Sequence, residues 1–254
     1  LEEIIRDEIE VAALLHDVGK IGVPDYVLMK PGKLTAEELL AMERHRRLSV
    51  EILSACSASQ NVLDVVANTG AWFNGCREGF HLKGEALPLG ARMVSIIDAF
   101  DAMTTDHVYR RALSRERAIA ELFEYAGTQF DPHLVRKFCM EVTSTPSPET
   151  ASTTPPAESA QARMSELTSL LAAVEDSSHG SNRNTIRHDD GYENHLAQVR
   201  LGIATSLFLA LKSKHAPTAA HSLRVAISCS SWAMMMGLEE IIRDEIEVAA
   251  LLHD

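Results

Sequence analysis

Residues 1–20 read LEEIIRDEIEVAALLHDVGK, an apolar helical pattern that ends on His16 and Asp17 and runs on through Gly19 to Lys20. Ile4, Ile5, Ile9, Ala12 and Leu15 recur at the three- and four-residue spacing of one helical face. That spacing predicts an amphipathic helix with an imidazole and a carboxylate side by side at its end. A single divalent ion can be reached from both groups. Residues 238–254 repeat the first seventeen residues without a change, ending on His253 and Asp254. The two copies offer the same side-chain contacts and therefore compete for one place in the fold. The copy left out presents an apolar stripe that could dock in another copy of the chain and give a swapped homo-oligomer.

The remaining apolar segments are also helical in period, and few stretches alternate with a period of two. Thr35-Ala-Glu-Glu38 is a capping box that opens a helix running to about Cys56, with Leu34 placed as its staple. Asp131 followed by Pro132 is an N-cap and a first-turn proline, opening a helix to about Val142. Further helices are expected near 58–67, 89–103, 115–125, 192–211 and 217–236, so the fold class is all-α. Residues 143–191 change in composition to Ser, Thr and Pro, with one short helical stretch near 163–174. Such a segment buries little apolar surface and reads as a linker between residues 1–142 and 192–254.

Composition narrows the function classes. A formal charge of −12 over 254 residues argues against an extended nucleic-acid surface, which needs clustered Lys and Arg. No apolar run reaches the roughly 20 residues of a membrane span, and the first residues lack a signal-peptide pattern, so a cytoplasmic location is expected. Cys56, Cys76, Cys139 and Cys229 form no CxxC and are read as reduced and mostly core, and the run Met234-Met235-Met236 is read as core packing.

Three segments carry a resemblance: HDVGKIGVPDYVLMKPGKLTAEELLAMERH from His16, LKGEALPLGARMVSIIDAFDAMTTDHVYRRALSRERAIAEL from Leu82, and AGTQFDPHLV from Ala126. Together they resemble the HD-GYP domain, a family of metal-dependent phosphohydrolases that degrade cyclic di-GMP. Residues 214–240, KHAPTAAHSLRVAISCSSWAMMMGLEE, resemble the opening helices of that family, with a His-Ser-x-Arg-Val motif at His221 to Val225. Reading 192–254 before 18–142 restores the family order, which implies an HD-domain helical bundle with its halves permuted.

By position, the resemblance makes His16, Asp17, His45, Asp98 and His221 candidate metal ligands. It implies one or two divalent ions, iron or manganese, since imidazoles and carboxylates suit such metals. Asp17 and Lys20 take the catalytic roles, and Lys20 and Arg110 contact the phosphates of a cyclic dinucleotide or another small phosphodiester. Each residue also has a plainer reading. His45, in Glu-Arg-His-Arg-Arg, by itself reads as part of a solvated charged face, and Lys20 and Arg110 as ordinary surface cations. Asp98 is different, because it lies among Met93, Ile96, Ile97 and Phe100, where a carboxylate calls for a metal or a basic partner. His188, Asp189 and Asp190 repeat the letters of the motif inside a polar segment, without the apolar helix, and are not read as ligands.

The chain also departs from the family. Asn68 and Thr69 stand where the family has a His-His pair, Cys76-Arg-Glu-Gly-Phe80 replaces the Gly-Tyr-Pro signature, and His107 and Pro217 replace an Arg and, in some members, an acidic ligand. Neither an amide nor a hydroxyl replaces an imidazole on such metals. Two functional readings remain open. One is a metal-dependent phosphodiesterase with impaired activity. The other is a catalytically inactive HD-GYP-like module that contacts signalling proteins.

Overall fold

The computed structural model describes residues 2–106, 111–144 and 190–236. Nine α-helices account for most of these residues: α1 (Glu2–Leu15), α2 (Asp25–Leu28), α3 (Ala36–Ala55), α4 (Gln60–Asn68), α5 (Leu89–Thr104), α6 (Arg115–Glu124), α7 (Pro132–Ser144), α8 (Asp190–Lys214) and α9 (Ala216–Met235). Two 3-10 turns, Val18–Gly22 and Gly84–Ala86, complete the set. The described residues contain no β-strand, only an isolated bridge between Ala126 and Phe130, so the all-α class holds.

The chain divides into two compact units, one of Leu1–Thr143 with Val199–Asp254 and one of Ser144–Gln198. Within the first unit, α1 lies against α9, α4 and α5, while α3 covers the 18–22 turn and α4. The core follows the periodicity of the sequence. Ile9, Ala12, Ala13 and Leu15 of α1 are buried, and so are Val225, Ala226, Cys229 and Trp232 of α9 and Met93, Val94, Ile96 and Ile97 of α5. Each large side chain buried in this way contributes about 1.5–3 kcal/mol. Phe100, Phe138 and Trp232 add an edge-to-face chain that joins α5, α7 and α9, with successive ring centroids 5.2 Å apart.

Helix starts are set by their caps. Thr35 Oγ1 accepts from the Glu38 amide at 3.3 Å while the Glu38 carboxylate accepts from the Thr35 amide at 2.7 Å, which closes the capping box. Asp131 Oδ1 accepts from the amides of His133 at 2.8 Å and Leu134 at 3.2 Å. The other Asp131 oxygen accepts from Arg92 at 2.8 Å, a buried ion pair that locks the start of α7 to α5. Ser59 caps α4, so that helix begins at Gln60, two residues later than its apolar pattern suggested.

The first copy of the repeated helix, α1, packs into the bundle, and His16 and Asp17 run directly into the 18–22 turn. The second copy, residues 238–254, lies outside the described residues, as does the short helical stretch expected near 163–174. Two core assignments are corrected. Met234 and Met235 are exposed and only Met236 is buried, because the last turn of α9 reaches the surface. Of the four cysteines, Cys139 and Cys229 are buried, Cys56 is intermediate and Cys76 is exposed, in the loop after α4. No described helix is long and apolar enough to cross a membrane.

Candidate metal centre

His16 and Asp17 stand where α1 gives way to the 3-10 turn. The Lys20 amide donates to the Asp17 carbonyl at 2.9 Å and starts the turn. Gly19 then presses its backbone onto α3: its amide donates to Ser49 Oγ at 2.8 Å, and Ser49 Oγ donates to the His16 carbonyl at 2.9 Å. A Cβ at Gly19 would fall 1.9 Å from the His45 carbonyl oxygen, so only glycine allows this contact. The turn and α3 are joined at the positions that carry His16, Asp17, Lys20 and His45.

These side chains converge on Asp17. Its Oδ2 accepts from Lys20 Nζ at 2.5 Å, its Oδ1 lies 3.2 Å from His45 Nε2, and His16 Nε2 lies 3.6 Å from Oδ2. Burial acts to raise the Asp17 pKa, but the charges of Lys20 and His16 and the contact with His45 outweigh it, and the carboxyl is held well below its ordinary value. A second cluster forms across the bundle. His221 of α9 donates from Nε2 to Asp98 Oδ1 at 2.8 Å and from Nδ1 to Asp101 Oδ2 at 2.7 Å. Burial alone would lower the His221 pKa, yet hydrogen bonds to Asp101 and Asp98 push it up to about 9. For Asp98, withdrawal from water opposes ionisation, but the His221 hydrogen bond and the His16 charge win and keep its pKa low.

His16, Asp98 and His221 each offer a ligand atom, and these atoms lie within 4.8 Å of one another. His16 Nε2 is 4.0 Å from Asp98 Oδ1. Two ligands held roughly 2.0–2.2 Å from one ion stand about 3–4 Å apart, so the separations of His16 from both carboxylates suit a shared cation. The tautomers point the same way. The Nδ1–H of His16 donates to the Ala13 carbonyl at 2.7 Å, and His45 Nδ1 donates to the Met42 carbonyl. That leaves each Nε2 as the ring nitrogen facing a carboxylate, where it is available as a ligand atom. The donor set therefore fits a divalent ion.

The structure thus brings together His16, Asp17, Lys20, His45, Asp98 and His221, with His45 on Asp17 rather than within the three-residue cluster. His45 is nearly buried and faces the site, which corrects the solvated-face reading. Arg110, His107, His188 and Asp189 lie outside the described residues, and Asp190 begins α8. Two site residues went unassigned in the sequence: Asp101, which holds His221 Nδ1, and Arg224, which donates to both Asp101 oxygens, from Nε at 2.6 Å and Nη2 at 2.8 Å. The available signal was spacing, since Asp101 is three residues after Asp98 and Arg224 three after His221, on shared helical faces. Asn68 and Thr69 both turn back onto their own helix, Asn68 Nδ2 donating to the Asp64 carbonyl and Thr69 Oγ1 to the Val65 carbonyl, each at 2.8 Å.

A cavity of about 240 Å³ opens over the centre, lined by His16, Asp17, Lys20, His45 and Asp98 together with Arg46, Thr69 and Arg77.

Comparison with known proteins gives the family and a set of relatives. The HD domain family profile matches residues 1–134. The cyclic di-GMP phosphodiesterase response regulator RpfG of Xanthomonas campestris is 43% identical over 139 residues, which cover 53% of this chain and 36% of that protein. A probable cyclic di-GMP phosphodiesterase of Vibrio cholerae is 36% identical over 150 residues, covering 56% of this chain and 34% of the relative. A 3'3'-cGAMP-specific phosphodiesterase of the same organism is 35% identical over 137 residues, covering 53% and 26%. The chain spans about a third of the length of the curated relatives it matches.

Proposed function

The chain belongs to the HD domain family, and from that premise we propose that it is a metal-dependent phosphodiesterase acting on cyclic di-GMP or a related cyclic dinucleotide, at a rate reduced by Asn68 and Thr69. The observation that carries this reading is the convergence of His16, Asp98 and His221 on one point, from a turn and two helices, with Asp17 Oδ2 3.6 Å from His16 Nε2. The named activities of the relatives supply the substrate class.

His16, Asp17, Asp98 and His221 would hold one divalent ion, iron or manganese, with His45 reaching the centre through Asp17. When bound, such an ion supplies positive charge for a phosphoryl oxygen and lowers the pKa of water to near neutrality. Held well below the ordinary carboxyl pKa, Asp17 stays a carboxylate that keeps Lys20 and His45 fixed beside the reacting phosphate. Lys20 places a positive N–H at the cavity wall, where it neutralises charge that builds up on a phosphoryl oxygen. Asp101 holds the Nδ1–H of His221 and so orients the ring with Nε2 toward Asp98 and His16; Nε2 would give up its proton to serve as a ligand, with Asp101 in the usual outer-shell role of a carboxylate behind a ligating histidine.

The cavity is smaller than the roughly 300–1,000 Å³ of sites that enclose a whole small molecule. It accommodates the reacting phosphate, while the rest of a dinucleotide lies over its mouth. We read the two halves as permuted, because α9, late in the chain, packs on α1 and brings His221 to Asp98. The test is hydrolysis of cyclic di-GMP to the linear dinucleotide by purified protein supplied with manganese or ferrous iron. Turnover that disappears in His16→Ala supports the reading. Metal bound without turnover would leave a cation-holding module in place of the enzyme.

A further inference from the structure

Two guanidiniums share the cavity with the metal-ligand set. Arg46 follows His45 on α3, and Arg77 belongs to the loop between α4 and α5. They are drawn together rather than kept apart: Arg46 lies 5.7 Å and Arg77 5.8 Å from the centroid of the same Phe80 ring. Arg77 is fixed by donating from Nη1 to the Gly70 carbonyl at 2.9 Å. Arg46 rests over Gly70, where a Cβ would stand 3.0 Å from its Cζ, so the missing side chain makes its berth.

The charge around this pair is incompletely balanced. Both arginines approach a single carboxylate, Glu43, at 3.8 and 3.6 Å, and Glu43 is more than half exposed. Burial, and after it the neighbouring Arg77 charge, disfavour the charge on Arg46 and outweigh the support it draws from Glu43, Asp17 and Asp98. An arginine keeps its proton in such a place, and what relieves it is an anion. Paired guanidiniums present planar forks that match phosphate oxygens, two bonds at a time.

We propose that Arg46 and Arg77, stacked on Phe80, form an anion subsite that binds a non-bridging oxygen of the substrate phosphate beside the metal centre. This rests on the phosphodiesterase reading and adds to it the residues that take the phosphate charge the single ion leaves unbalanced. The subsite occupies the cavity wall shared with Thr69, so the positive charge there comes from the two guanidiniums.

Calorimetric titration of the full chain with inorganic phosphate tests it, at saturating manganese and in parallel after chelator treatment, for the wild type, Arg46→Gln and Arg77→Gln. Each substitution is expected to weaken phosphate by about tenfold or more, the loss of charge-assisted hydrogen bonds, with manganese affinity and melting temperature unchanged. Arg46→Lys and Arg77→Lys keep the charge without the fork and should fall between wild type and the Gln variants, which separates lost recognition from lost folding. Equal phosphate affinity in wild type and both Gln variants, or no phosphate binding by the wild type, overturns the proposal. Manganese affinity is read separately, so a failed metal centre and a failed anion subsite give different results.

Discussion

Asp101 accepts a hydrogen bond from Nδ1 of His221 at 2.7 Å, across 120 residues of sequence. The bond fixes which ring nitrogen faces Asp98 and His16, and Arg224 holds the carboxylate in place. Replacing Asp101 by Asn keeps the shape and removes the charge. Metal affinity should fall about 10–100-fold, the usual loss for an outer-shell partner, with helical circular dichroism unchanged. Unaltered metal affinity in Asp101→Asn would show that His221 is oriented by packing alone.

Gly19→Ala is predicted to damage fold and site together. The added methyl group would meet backbone atoms of α3, the His45 carbonyl at 1.9 Å and the Ser49 amide at 2.6 Å, which cannot rotate away. Overpacking of this kind costs about 1–3 kcal/mol or more. Denaturant melts should show that loss, with a matching fall in metal affinity, because the turn carrying Asp17 and Lys20 is pushed off α3.

Asp131→Ala removes a helix cap and half of a buried ion pair. Arg92 loses the partner 2.8 Å away while the amides of His133 and Leu134 lose their acceptor. Breaking one side of a buried pair costs about 3–5 kcal/mol. Urea unfolding of this variant should show a loss of that size, although Asp131 is not one of the metal ligands.

Thiol reactivity should follow burial. Cys76 is exposed and should react at once with a disulfide reagent at neutral pH, while buried Cys139 and Cys229 should not react until the protein unfolds. Burial pushes the Cys139 thiol up to about 11. The unfolded chain loses this proton at lower pH than the native state, so the stability due to the protonated native thiol is complete below about pH 9 and falls as pH rises toward 11. Comparing denaturation at pH 8 and 10 for wild type and Cys139→Ala checks the sign.

Local chemistry made most of the helices legible. Thr35 with Glu38 and Asp131 with Pro132 mark starts that the structure reproduces as caps, and the apolar face of residues 1–17 becomes the face that α1 buries. His16 and Asp17 could be singled out because they end that face. Other residues of the site were harder to read, since Asp101 meets His221, and Arg46 and Arg77 reach the same Phe80 ring, only after folding joins distant segments. Met234 and Met235 misled for a related reason: a run of apolar letters does not show where the last turn of a helix leaves the bundle.

The measurement closest to the central claim is metal content by elemental analysis of protein purified without chelator, for the wild type and for His221→Ala and Asp98→Ala. About one equivalent of iron or manganese in the wild type, lost in both variants while each remains folded, is the predicted result. Folded wild-type protein without metal even after addition of manganese, or variants that keep their full equivalent, would contradict the assignment of His16, Asp17, Asp98 and His221 as a metal centre.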